Sequence, residues 1–260
     1  MKRLLSCMLM AAFLMFPAAA SALPGIDIEA AVGGWQQTPS GDLSYVSGVP
    51  GIEDTLDLED DFGFEEEIRM IGRLKIDIPV IPTIYVVAAP MEFEGDSESI
   101  GFTFGDQDFQ VGSISSKLTL NQYDIGLYYG IPFLKTATLG KLNIDIGLNV
   151  RIADINAEVT GQTLAGARVT ESKSVVAPIP MLYLAAQFKP VDRFALEVEA
   201  RGISTGDDKI YSLVGRVKVK VLGPAFAAGG YRYDVIDIDE EDLVVNTNFG
   251  GPFLEAGVQF

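Results

Sequence analysis

Apolar and polar residues alternate along most of the chain. Between Leu142 and Ile152 every even-numbered residue is Leu, Ile or Val, and every odd-numbered residue is Asn, Asp, Gly or Arg. Because successive side chains of a β-strand point to opposite faces, this period of two predicts a strand with one apolar and one polar face. The same alternation recurs in 68–78, 194–201 and 211–221, whereas the period of an amphipathic helix is nearly absent.

Ten alternating segments are predicted to be strands. They lie at 26–36, 67–78, 83–94, 114–129, 141–153, 176–189, 193–204, 208–222, 225–236 and 247–260. Short turns, mostly with proline, alternate with connections that are mostly longer and acidic; the long ones lie at 37–66, 95–113, 154–175 and 237–246. Short turns at one end and long loops at the other are typical of outer-membrane barrels. The sequence therefore predicts a closed antiparallel transmembrane β-barrel, with short periplasmic turns and longer acidic extracellular loops.

A soluble lipocalin-like barrel also has alternating strands, but its apolar face points inward. The positions of the aromatic residues favour the membrane interpretation, because on the apolar face they gather near both strand ends, where rings sit at the membrane interfaces. The set is Tyr85, Tyr129, Phe188, Phe194 and Phe260 at the short-turn end, and Phe93, Tyr211 and Tyr233 at the other. Trp35 is an exception, since its parity points inward unless a bulge at Gly33-Gly34 turns it outward.

The N-terminus has the features of a secretory signal. Lys2 and Arg3 precede an apolar run at 4–16, and Ala20-Ser21-Ala22 offers a cleavage site, so we expect a signal peptide at 1–22 and a barrel domain at 23–260. The protein is therefore expected to be exported.

The net charge of −17 argues against nucleic acid as a partner.

The chain ends in "GPFLEAGVQF", with Leu254, Val258 and Phe260 on one face. This segment resembles the C-terminal signal of Gram-negative outer-membrane barrels. The resemblance implies that Phe260 is an assembly signal and that the barrel-assembly machinery is a partner during biogenesis. With "TLDLEDDFGF", "YDIGLYYGIP" and "GYRYDVIDID", the whole chain resembles the small uncharacterised outer-membrane β-barrel proteins of Gram-negative bacteria. The resemblance implies fold and location, without an established activity.

The polar faces of the predicted strands carry charges of both signs. The candidate lumen charge network is Arg69, Arg73, Lys75, Asp145, Arg151, Glu197, Glu199, Arg201, Arg216, Lys218, Lys220 and Arg232. Since small barrels are filled by their side chains, we expect a filled or very narrow lumen. Glu197 and Glu199 are predicted to pair with the row Arg216–Lys220 on the next strand, and their replacement by alanine to open small, anion-preferring currents.

Acidic residues crowd the connection at 37–66. Asp57, Glu59 and Asp61 alternate there, but the glycine and the bidentate glutamate of an EF-hand are not at their offsets. A solvated surface loop is the favoured interpretation. Loose binding of Ca²⁺ or Mg²⁺ by these carboxylates, together with lipopolysaccharide phosphates, is the alternative.

The chain contains no histidine. The omptin proteases, the barrel phospholipase and the lipid A acyl-modifying barrels rely on histidine, so none of their activities is expected here. The sequence favours a monomeric, non-enzymatic outer-membrane barrel with a structural or surface-interaction role, in contact with outer-membrane lipid and lipopolysaccharide. A narrow channel for small solutes and a histidine-independent surface hydrolase are the alternatives.

Overall fold

The computed structural model describes residues 25–46, 53–99, 102–104, 107–109, 112–206, 208–240 and 243–260. The predicted signal peptide at 1–22 lies outside these ranges and stays a prediction. Within them, no helix is long and apolar enough to cross a membrane.

Strands account for most of the described chain, with one short helix. The elements are β1 (Asp27–Val46), β2 (Glu53–Asp57), β3 (Glu67–Asp77), β4 (Thr83–Ala89), β5 (Glu92–Ser99), β6 (Phe102–Phe104), β7 (Gln107–Phe109), β8 (Gly112–Gly130), α1 (Leu134–Ala137), β9 (Leu142–Gln162), β10 (Arg168–Val191), β11 (Phe194–Thr205), β12 (Asp208–Leu222), β13 (Ala225–Glu240) and β14 (Leu243–Gln259).

The sheet closes into a barrel. Consecutive wall strands pair antiparallel, and β14 pairs with β1 across the seam. Ile28 and Phe260 complete this seam by exchanging two backbone hydrogen bonds of 3.1 and 3.0 Å. β4 and β5 pair with β8 in one register and together form one wall strand. The prediction of a closed, ten-stranded antiparallel barrel is confirmed.

Several segments predicted to be loops are strands instead. β1 continues to Val46, and the β9–β10 hairpin extends until only 163–167 forms its turn. The strands thus project far beyond the apolar segments that were used to predict them. We name the two ends of the barrel the short-turn end, which holds both described termini, and the long-hairpin end.

The two faces of β9 exchange polarity at Ala153. Up to Ile152 the even-numbered, outward side chains are apolar, whereas beyond it they are Asp154, Asn156, Glu158 and Thr160. The inward side chains change in the opposite sense, from Asn, Asp and Arg to Ala, Ile and Val. Parity is unbroken, so only the surroundings change. We call the part of the wall nearer the short-turn end the lower part and the part nearer the long-hairpin end the upper part. The lower part suits a lipid exterior, and the upper part suits a water exterior around an apolar core.

β8 marks the same boundary. Its outward residues are Tyr123, Ile125, Leu127 and Tyr129 in the lower part, all exposed, and Ser, Lys, Thr and Asn in the upper part. Tyr123 and Tyr129 bracket the apolar stretch, as interfacial aromatics do. We refer to this lower region as the membrane band.

Two predictions about aromatic residues are wrong, and the bulge suggested at Gly33-Gly34 is absent. Tyr85 and Phe93 face inward and are buried, because Ile84 and Val86 take the outward positions of their strand. Trp35 also faces inward and is fully buried. No bulge turns it, since the β1–β14 register runs without a shift through this position.

Candidate functional site

A closed ring of six charged side chains crosses the lumen in the membrane band. Cations and anions alternate around it, with N···O distances from 2.5 to 3.0 Å. In order the charge ring is Arg216, Glu197, Lys218, Glu29, Arg73 and Glu255. Because the members come from β1, β3, β11, β12 and β14, the ring ties both sides of the seam to the opposite wall.

A branch extends the ring to the remaining wall. Arg216 lies 2.7 Å from Glu199, to which Arg201 donates a hydrogen bond of 2.7 Å. Arg201 also donates to Asp124 at 3.0 Å, and Arg151 donates two hydrogen bonds of 3.0 Å to the same carboxylate. A bidentate arginine of this kind fixes geometry as well as charge. The branch thereby connects β11 and β12 to β8 and β9.

A smaller group lies beside the ring. Arg232 donates to Asp234 at 2.7 Å and to the side-chain oxygen of Gln122 at 2.9 Å. Its guanidinium also lies 4.7 Å from the centre of the Trp35 ring. This cation–π contact joins the charged layer to the apolar residues at the long-hairpin end.

Opposite charges balance in this layer. The ring, its branch and the Arg232–Asp234 pair contain six cations and six anions, all buried. A buried charge is costly unless it is paired and hydrogen-bonded, and removal of one partner leaves the other uncompensated. The layer is therefore a cross-linking unit of the barrel wall, without a net charge that would select either kind of ion.

The structure places most of the predicted lumen residues in this layer. They are Arg73, Arg151, Glu197, Glu199, Arg201, Arg216, Lys218 and Arg232. Asp145 instead lies 4.0 Å from Lys75, nearer the short-turn end.

Two further predicted residues lie outside the layer. Lys220 is exposed, because it precedes the turn after β12 and emerges at the barrel mouth. Arg69 is half-exposed above the ring, 3.5 Å from Glu92.

Four acids of the layer are absent from the predicted network, namely Glu29, Asp124, Asp234 and Glu255. Glu29 bridges Arg73 and Lys218, and Asp124 bridges Arg151 and Arg201. Their signal was parity: each alternates with outward apolar residues, as the recognised positions do.

An apolar plug fills the lumen above the charges. Its centre is Trp35, Met91, Phe93, Phe249 and Phe253, each at most 3% exposed. The rings of Phe93 and Phe249 stack at 5.6 Å. The upper lumen is therefore filled by packed apolar and aromatic side chains.

Residues 56–64 form a lid on the plug, which corrects the prediction of a solvated loop. Leu58, Phe62 and Phe64 are buried, and the rings of Phe62 and Phe64 stack at 5.5 Å. The alternation of acids with Leu and Phe in this stretch reflects the two sides of the lid, one wet and one in the core.

The lid's carboxylates also hold its turn. Asp57 accepts hydrogen bonds from the amides of Glu59 and Asp60 at 2.8 and 2.9 Å, and Asp61 accepts one from the amide of Asp57 at 2.7 Å. In the part of the chain that the structure describes, no group of three acidic, His or Cys residues is arranged to hold a metal ion. Cation binding by Asp57, Glu59 and Asp61 stays a prediction.

The outer surface above the membrane band is acidic along β5, whose outward residues are Glu92, Glu94, Asp96 and Glu98. Lys117 of β8 donates a hydrogen bond to Glu94. This bond raises the pKa of Lys117 and lowers the pKa of Glu94. Both groups therefore stay charged at neutral pH.

The cavities within the charged layer are small. Two voids of about 20 and 30 Å³ lie among its side chains, room for a water molecule or two each. A wider cavity of about 320 Å³ opens at the short-turn end and reaches Glu29 and Asp145. The lumen thus narrows from an open mouth to spaces far smaller than a hydrated solute.

The similarities to known proteins are remote. No protein-family model matches the chain, and none of the curated proteins matches it significantly. Among solved structures, Ail, the attachment invasion locus protein of Yersinia pestis, is 11% identical, with 90% of this chain and 98% of that chain covered and a TM-score of 0.36.

Two further structures show the same level of likeness. The translocator domain of the autotransporter NalP from Neisseria meningitidis is 13% identical, with coverages of 98% and 96% and a TM-score of 0.43. The toluene transporter TodX of Pseudomonas putida is 9% identical, with coverages of 95% and 93% and a TM-score of 0.26. Likeness at this level transfers no activity to this chain.

Proposed function

We propose that this protein is a non-enzymatic, monomeric barrel of the outer membrane of a Gram-negative bacterium, with a structural or surface-interaction role. The observation that carries the proposal is that the lumen is closed twice, by the charge ring with its branch and by the apolar plug under its lid. A barrel sealed in this way serves as a rigid membrane support for what it carries outside.

The part outside the membrane is a folded wall. We infer that the long-hairpin end faces the cell exterior, since long hairpins are extracellular in such barrels. The upper parts of β8, β9 and β10 then stand in water, around their own apolar core. A wall of this kind offers a shaped surface to lipopolysaccharide or to another macromolecule.

Biogenesis follows the usual export route in this proposal. A signal peptide at 1–22 directs the chain across the inner membrane, and the barrel-assembly machinery reads the C-terminal strand. Phe260 follows the last residue of that strand, and its backbone pairs with Ile28 at the seam.

Conductance in planar bilayers tests the closed lumen. The purified wild-type barrel should give no steady single-channel current, because the voids of its charged layer hold only water-sized space. An open porin inserted into the same bilayer is the positive control. Large, steady currents from the wild type would support a channel for small solutes and overturn the proposal.

A further inference from the structure

β10 has an unpaired edge above the membrane band. It pairs with β9 along nearly its whole length, from Arg168 to Phe188, but its pairing with β11 begins only at Leu182. From Arg168 to Met181, no described strand pairs with the side of β10 that faces away from β9. We refer to this side as the open edge.

The wall is low beside the open edge, and the apolar interior is uncovered there. The β11–β12 hairpin already turns at 205–208, whereas β10 continues upward. Val175 and Ile203 have inward parity, yet they are 57% and 37% exposed. Val159, with the same parity on the covered strand β9, is 2% exposed. The upper wall therefore has a gap with an apolar lining.

Two prolines show which backbone groups face the gap. Pro178 and Pro180 have no N–H group, and proline within a sheet is tolerated where the ladder needs no donor. Since residues of an antiparallel strand alternate between their two neighbours, the even-numbered residues of β10 direct their backbone groups away from β9. The amides and carbonyls of Ser172 and Ser174 consequently line the open edge.

We propose that the open edge binds an extended segment of another protein, which adds to β10 as an antiparallel strand. Unpaired edges are templates for such addition, and an added strand would cover Val175 and Ile203. The proposal deepens the surface-interaction role proposed above and rests on it.

Charges on β10 define the chemistry of this segment. Glu171 and Lys173 point inward beside the gap, and neither forms an ion pair with the described residues. Inward charges on an edge discourage strands that are purely apolar. The segment that fits carries a cation opposite Glu171, an anion opposite Lys173, and apolar residues opposite Val169 and Val175.

A designed peptide probes this chemistry directly. The sequence Thr-Val-Thr-Glu-Thr-Lys-Thr-Val-Thr, antiparallel with its centre opposite Ser172, places Glu against Lys173 and Lys against Glu171. Its binding to the intact barrel in nanodiscs is measured by fluorescence anisotropy of a labelled peptide. The peptide with Glu and Lys exchanged should bind roughly fivefold more weakly, because like charges then lie opposite each other. Equal binding of the two peptides would overturn the proposal.

Substitution at the edge locates the peptide. Ser174→Pro removes one donor from the open edge and leaves the β9 ladder intact, as Pro178 and Pro180 do, so affinity should fall about fivefold. Ser174→Thr keeps the amide and should bind as the wild type does. Heat-modifiable migration on gels verifies that each variant is a folded barrel.

A disulfide test separates the peptide from other occupants. In a Ser174→Cys barrel, a peptide with Cys at its third position should cross-link, whereas one with Cys at its first position should not. Cross-linking of two barrels in preference to the peptide would assign the edge to a second copy and contradict the proposal. Absence of peptide binding in a barrel that conducts no current would overturn this inference alone and leave the closed lumen intact.

Discussion

At the residue scale, Arg216 connects the charge ring to its branch. Its guanidinium lies within 3.0 Å of Glu197, Glu199 and Glu255. Arg216→Met should lower the free energy of unfolding by about 3–5 kcal/mol, because three carboxylates lose a buried partner at once. Urea titrations followed by heat-modifiable migration measure the change. Lys220→Met removes an exposed charge from the same strand and is the control. An equal loss of unfolding free energy in Lys220→Met would show that the buried ion pairs of Arg216 stabilise the barrel no more than an exposed charge does.

Phe260 combines two roles that can be separated. Its backbone closes the seam with Ile28, and its side chain belongs to the outward face of Leu254 and Val258. Phe260→Ser keeps the backbone pairing and removes the ring, so a fall in outer-membrane abundance would come from the lost aromatic signal. We expect this fall by quantitative immunoblot of membrane fractions, with Phe260→Tyr near the wild-type amount. Unchanged abundance of Phe260→Ser would limit Phe260 to seam closure.

At the scale of elements, alternation predicts where strands run but not where they end. β9 was predicted to stop at 153, because its apolar face stops there. The structure continues with the same parity and the opposite polarity, since the surroundings change from lipid to water. The same principle explains Trp35, whose inward parity was correct and whose supposed bulge was not needed in an apolar upper lumen. The sequence of β9 contains the change from apolar to polar outward residues. That this change marks the edge of the membrane band, and not the end of the strand, is visible only in the structure.

The upper wall should be sensitive to charge in its core. Val159→Asp places a carboxylate among apolar side chains and should cost roughly 2–4 kcal/mol of local stability. The β9–β10 hairpin would then open to external protease, while the membrane band stays protected. Asn156→Asp introduces the same group on the outward face of β9 and should leave cleavage unchanged. Equal resistance of both variants would mean that the upper core does not stabilise the hairpin.

At the scale of the whole molecule, the interior is built in layers that no single strand pattern shows. Parity identified most members of the charged layer, because the alternation within a single strand is enough to show which of its residues point inward. Glu29 and Asp124 complete the ring and branch only through partners on distant strands. The sequence did not predict the lid for the same reason, since its Leu and Phe residues are buried against strands that are distant in the sequence.

Because two layers close the lumen, removal of charges from the charged layer alone should not make the barrel conduct. The sequence predicts that Glu197→Ala with Glu199→Ala opens small currents, but the plug above the charge ring remains in that variant. We therefore expect no current from it, and none from Phe93→Ala with Phe249→Ala, which opens the plug while the charged layer still closes the lumen. All four changes together should give small currents that prefer anions, because 6 − 2 = 4 buried carboxylates then face six cations. Bilayer recordings of the four proteins, each verified as a folded barrel, measure this. Currents from the two glutamate changes alone would show that the plug does not seal the lumen.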